Sequence, residues 1–186
     1  MSPVSPDPVS RPPHPLALAL IERLRERPGA RVLEIGAGSG RNTRALAAAG
    51  FRVCELPAGQ PCAAALSTHA LLHGTPGLLT TELAEIARAL EARAPFFGTF
   101  GSVHDARYGI GTRHEPHVYA ALDGDEAGVA HVYFDEPRLR ELLSSNFIVE
   151  SMHEVGVDRI AGDWAHRRAP LHGAVHWFVI ASVRDQ

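Results

Sequence analysis

The sequence predicts an α/β domain built on a largely parallel sheet. Three observations predict it. First, the apolar run Val32-Leu33-Glu34-Ile35 leads into a turn with glycine at every second position, Gly36-Ala37-Gly38-Ser39-Gly40, and then into the helix-compatible run 44–49. Second, stretches of helical periodicity alternate with short apolar stretches along the chain, the pattern of strand–helix–strand units. Third, two further strand-like stretches, 147–155 and 174–183, close the sequence.

The chain has 186 residues, enough for one sizeable core, and a hydrophobic fraction of 45%. A formal net charge of −3 gives no electrostatic case for binding nucleic acid or an anionic membrane. All 18 basic residues are arginine, so lysine Schiff-base chemistry and any P-loop ending in Lys-Ser/Thr are excluded. Two cysteines, Cys54 and Cys62, are too few for a disulfide scaffold or a four-cysteine zinc site. No apolar run is long enough to span a membrane, and the first residues do not read as a signal peptide, so a cytoplasmic protein is expected.

In chain order, residues 1–13 are proline-rich and read as a flexible tail, with a single domain over 14–186. Leu16, Leu20 and Leu24 form the apolar stripe of a helix over 16–27, stopped by Pro28-Gly29. The first strand is 31–35 and the first sheet helix 43–49, ended by Gly50; 51–55 is the second strand. Leu79, Leu83, Ile86 and Leu90 predict a helix over 78–94, and 96–102 a buried strand behind Pro95. Residues 104–131 read as one long loop over the ligand end of the sheet. Asp135 caps the last helix, with Pro137 in its first turn. Residues 156–173 read as a further long connector.

The turn after the first strand carries the functional signal. Its glycines let a ligand approach the backbone, and the free N–H groups of the following helix favour a carboxylate or phosphate. A dinucleotide site wants G-x-G-x-x-G, whereas this turn reads G-x-G-x-G behind Glu34, which disfavours a nicotinamide oxidoreductase. The segment resembles motif I of the class I S-adenosylmethionine (SAM) dependent methyltransferases. Residues 31–55 are further similar to small bacterial members such as the tellurite-resistance methyltransferases.

This resemblance implies a Rossmann-like fold, SAM as cofactor and methyl transfer to a small-molecule acceptor. It implies cofactor contacts at Glu34, Gly36, Ala37, Gly38, Gly40 and Asn42, with Glu55 on the ribose hydroxyls. The run 63–74 resembles motif IV, the fourth strand and its loop, and adds Ser67 and Thr68. Only residues 56–62 separate it from Glu55. Seven residues at ~3.3 Å each can recross a sheet but cannot form a helix and a strand. The family's third strand and its covering helix are therefore expected to be missing, which would leave a sheet edge for a homodimer to cover. The same shortening supports the alternative of an inactive, ligand- or partner-binding module.

Substrate contacts are expected from His69 and His73 in the motif IV loop and from Arg107 and Tyr108 in the long loop. The bland alternatives are structural hydrogen bonding for the histidines and a solvated surface loop for the other two. His69, His73 and His104 are candidate bases, and no catalytic residue is assigned. His69 and His73 stand at i, i+4, a spacing that can serve a metal, but no third ligand is evident, so none is expected.

Overall fold

The computed structural model describes residues 12–124, 126–156 and 173–185. The helices are α1 (Pro15–Arg23), α2 (Arg41–Ala48), α3 (Pro76–Arg88) and α4 (Glu136–Ser144). The strands are β1 (Arg31–Ile35), β2 (Arg52–Cys54), β3 (Ala64–Ser67), β4 (Pro95–Ser102), β5 (Thr112–Glu115), β6 (Val118–Ala120), β7 (Ala130–Phe134), β8 (Phe147–Gly156) and β9 (Val175–Val183).

Strands β2, β1, β3 and β4 lie side by side and parallel. β9 runs antiparallel to β4 from Pro95↔Ser182 to Gly101↔His176, and β8 pairs antiparallel with β9. Neighbouring residues on a strand point to opposite faces, so each central strand feeds two cores. Leu33, Ala65 and Phe96 pack with Leu79, Leu83, Leu139 and Phe147 on the α3–α4 face. Val32, Ala64, Leu66 and Phe97 pack with Leu16, Leu20, Leu46 and Phe178 on the α1–α2 face. Fully burying one such Leu or Phe contributes roughly 1.5–3 kcal/mol. The ends of β1 and β3 are thus anchored in both cores.

β3 lies directly beside β1, the place motif IV implies, and β2 pairs with no strand other than β1 among the described residues. The connector 56–62 is tied down at Cys62, which donates its N–H to Ala89 and accepts from Glu91. That clasp takes up the end of the expected 78–94 helix, so α3 stops at Arg88. At the other end Thr75 caps α3 through Leu78 N–H, and Pro76 occupies the first turn.

Residues 104–131 are not one long loop. They contain β5 and β6, an antiparallel hairpin that continues onto β7, and β7 in turn pairs parallel with β4. β5 is exposed along its whole length and its pairing with β6 is bulged, while β6 has only three residues. Neither shows the period-two alternation that identifies a strand; their pairing partners create them. Gly101 admits this layer, because a Cβ there would lie 2.5 Å from Val132 O. The expected tail at 1–13 and the connector at 156–173 fall largely outside the described residues. No helix among those residues is long and apolar enough to cross a membrane.

Candidate active site

Glu34 sits near the end of β1, 3% exposed. Thr43, one turn into α2, donates to its Oε2 at 2.6 Å; Oε1 is buried without a hydrogen-bond partner among the described residues. Burial raises the Glu34 carboxyl above its usual range, and the polar side chains of Thr43 and Asn42 only partly oppose this. The turn that follows has two kinds of glycine. At Gly36 (φ +71°) a Cβ would lie 2.5 Å from Ala70 Cβ, so the position is closed by packing. At Gly38 (φ +52°) a Cβ would meet only Gly36 O at 3.8 Å, so open space lies over the backbone there. Gly40 is the N-cap of α2 in the left-handed region and makes no side-chain cap bond. Helix α2 therefore starts at Arg41, two residues before the expected 43.

A cluster of packed histidines adjoins this turn. Asn42 accepts from His14 N–H (2.8 Å) and donates to Thr68 Oγ1 (2.9 Å), clasping the start of α1 to the end of β3. His14 caps α1 through Leu16 N–H. Its ring lies 5.5 Å from that of His69, whose ring lies 5.0 Å from that of His176 on β9. His69 has φ +61°, a left-handed conformation held by its N–H donating to Thr99 Oγ1 at 2.8 Å. Burial first, then the neighbouring His69 and Arg41 charges, lowers the His14 pKa to about 2. Burial, then Arg107 and the other histidines, lowers His176 to about 3. Burial and the proximity of His176 and Arg41 push His69 well below the ordinary imidazole range. The cluster therefore consists of neutral imidazoles at physiological pH. Ser67, at the end of β3, is fully buried there, and its Oγ finds no partner.

The other expected residues scatter. Glu55 follows β2 directly and is exposed. His69 and His73 do not share a helix face, because residues 68–74 form bends and turns. His73 instead packs against His131, ring centroids 4.8 Å apart, with the Glu126 carboxylate beside both. Arg107 grips the buried Asp105 through Nε (3.0 Å) and Nη2 (3.1 Å), and Val175 N–H donates to the same carboxylate. Tyr108 bonds His117 Nδ1 at 2.7 Å inside a cluster with Tyr119 and Tyr133. His104 is 70% exposed and bonded to Glu154, away from the histidine cluster. A separate groove of about 530 Å³ between α3, α4 and the hairpin includes His117, Tyr133 and Arg138 but no residue of the glycine turn. Sequence reasoning missed His14, Arg41, His131 and His176, which have no local signal; they meet only because α1, β7 and β9 converge on the end of β3.

The chain has the Rossmann-like fold of SAM-dependent methyltransferases. Among solved structures it is similar to the 1,6-didemethyltoxoflavin-N1-methyltransferase of Burkholderia thailandensis, determined with 1,6-didemethyltoxoflavin and S-adenosylhomocysteine bound. That likeness has TM-score 0.65 and 23% identity over 92% of this chain and 78% of the other. A SAM-dependent methyltransferase from Methanosarcina mazei gives TM-score 0.67 and 16% identity over 94% of this chain and 100% of that one. The magnesium protoporphyrin IX methyltransferase of Synechocystis PCC 6803, with SAM bound, gives 0.56 and 13% over 91% and 78%. No family model and no curated protein sequence matches the chain.

Proposed function

We propose that this protein is a SAM-dependent methyltransferase acting on a small-molecule acceptor. The observation that carries the reading is the unpartnered Glu34 Oε1 beside the open turn at Gly38. A buried carboxylate oxygen without a donor is costly, and an ammonium group removes the cost. The residues present fit SAM: Glu34 would hold the methionine ammonium and the N–H groups at the start of α2 its carboxylate. Gly36, Ala37 and Gly38 would let the cofactor lie across the turn, and Glu55 would take the ribose hydroxyls. Asn42 and Thr68 support the floor through their mutual hydrogen bond.

When bound, SAM supplies an electrophilic methyl group on a sulfonium. The chain's own contribution is positioning and exclusion of water. Neutral His69 and His176 do not repel a sulfonium, as imidazolium would, and groups with such low pKa values are weak bases. They would orient an acceptor rather than deprotonate it. Calorimetric titration with SAM and with S-adenosylhomocysteine tests the reading: both should bind one per chain, and absence of binding by either overturns it.

The likeness to the tellurite-resistance group rests on residues 31–55. The shortened region between the second and fourth strands of the family is part of the same reading, supported by β2 ending the sheet among the described residues. An exposed strand edge favours pairing between copies, so we propose a homodimer formed through the β2 side. A clean monomer in sedimentation equilibrium at micromolar concentration would refute the dimer.

A further inference from the structure

We propose that His73, His131 and Glu126 form a binding site for a divalent transition-metal ion of the zinc class. Their ligand atoms all lie within 4.8 Å of one another. His73 Nε2 is 3.6 Å from Glu126 Oε1, and His131 Nε2 is 3.0 Å from Glu126 Oε2. Ligands at ~2.0–2.2 Å from zinc stand roughly 3–3.5 Å apart, so small side-chain rotations close the set.

Backbone pairing builds the arrangement. Residues 73 and 131 are opposite one another in an isolated antiparallel bridge, flanked by Gly74 N–H to Ala130 O (2.8 Å) and Val132 N–H to Leu72 O (2.9 Å). Bonds at the flanking positions make this a non-hydrogen-bonded pair, the type that brings facing side chains closest. Two imidazoles are therefore set on one face before any ligand arrives.

The proton inventory points to a cation. His131 Nδ1 lies 2.9 Å from Val129 O, and a carbonyl only accepts, so Nδ1 carries the hydrogen. In the neutral ring Nε2 is then a lone pair. It is buried, has no hydrogen-bond donor, and faces a carboxylate oxygen that is also an acceptor. Two acceptors at 3.0 Å repel unless a cation, either a proton on Nε2 or a metal ion, lies between them. A backbone carbonyl fixing the far nitrogen is also the outer-shell arrangement of metal-bound histidines. Among the described residues Arg107 also approaches Glu126, its Nη1 3.9 Å from Oε2, while its Nε and Nη2 are committed to Asp105. Two imidazoles and one carboxylate select zinc or a neighbouring first-row ion over calcium or magnesium.

His73 and Glu126 are partly exposed, which leaves room for further ligands. Charges at Glu126 and His131 act on His176, which places the site near the histidine cluster. On the methyltransferase reading, an open coordination position would take an acceptor oxygen, such as a phenol or enol hydroxyl. Coordination would release its proton to water. The resulting oxyanion would form the new C–O bond as the S–CH3 bond breaks, its electron pair passing to sulfur.

The test is a Zn²⁺ titration of protein freed of metal by chelator, followed by calorimetry and by Co²⁺ absorption. Wild type should bind one equivalent. Glu126→Gln and His73→Ala should each weaken binding by at least the roughly 10–100-fold that even an outer-shell partner is worth. His114→Ala, on the exposed strand β5, should bind as wild type does. No stoichiometric binding by wild type, or unchanged binding by a folded Glu126→Gln variant, overturns the proposal. SAM titration of the metal-free protein separates the two readings: SAM binding without metal binding refutes the metal site alone, and metal binding without SAM binding refutes the cofactor assignment alone.

Discussion

The Thr43 hydroxyl donates to Glu34 Oε2, and Glu34 Oε1 on the same carboxylate has no hydrogen-bond partner among the described residues. This asymmetry sets binding against stability. The folded-state pKa of Glu34 is raised, so between its ordinary and raised values the folded protein holds more protons than the unfolded chain. Stability therefore falls as pH rises through that window, and the deficit persists above it. Glu34→Gln should raise the Tm of the ligand-free protein at neutral pH. It should also weaken SAM binding about ten- to a hundredfold, the worth of one charged hydrogen bond. Scanning calorimetry with SAM titration checks both signs, and unchanged SAM affinity contradicts the assigned role.

Gly36 and Gly38 should respond oppositely to the same methyl group. Gly36→Ala drives its Cβ into Ala70 and should lower the Tm by several degrees or prevent folding. Gly38→Ala meets no such contact and costs only the left-handed backbone, ~1–2 kcal/mol. It should stay folded yet lose SAM affinity. A folded Gly38→Ala protein with wild-type affinity would remove the cofactor from this turn.

His14, His69 and His176 are held neutral by burial, with folded-state pKa values depressed below the ordinary 6.5. The unfolded chain takes up these protons first, so stability present above pH 6.5 is lost as pH falls towards the folded values. Below pH 6.5, and down to their folded values of about 2 and about 3, His14 and His176 each remove ~1.4 kcal/mol of stability per pH unit. Denaturant unfolding at about pH 5 and about pH 8 should show a clear loss at the lower value. His176→Leu should shrink that loss, and equal wild-type stability at both values contradicts the mechanism.

Arg107 was expected at a substrate, and the structure gives it a structural load as well. Asp105 is buried, and its partners are the Arg107 guanidinium and backbone N–H groups of residues 107 and 175. Arg107→Ala should destabilise the fold by about 3–5 kcal/mol by stranding that carboxylate, and Asp105→Asn in the same chain should restore part of the loss. If the double variant is no more stable than Arg107→Ala, the pairing is not the cause.

Local patterns suffice for β1, α2, β3, α3, β4 and α4, since each carries its own periodicity, cap or glycine stop. Glu34 and the glycine turn are equally legible, because strand, tight turn and helix start are contiguous and their chemistry depends on spacing along the chain. The hairpin β5–β6 and the strand β7 were read as loop, because an exposed strand and a three-residue strand take their pairing from distant partners. The same holds for the histidines. His69 and His73 are neighbours in sequence, yet the backbone turns between them and sends one ring to His14 and His176 and the other to His131. The sequence by itself determined the parallel strands around β1 and the glycine turn with the chemistry it favours, since these follow from short-range spacing. Only the tertiary structure decided which imidazoles are buried neutral and which meet a carboxylate, because those depend on contacts between residues as far apart as 14 and 176.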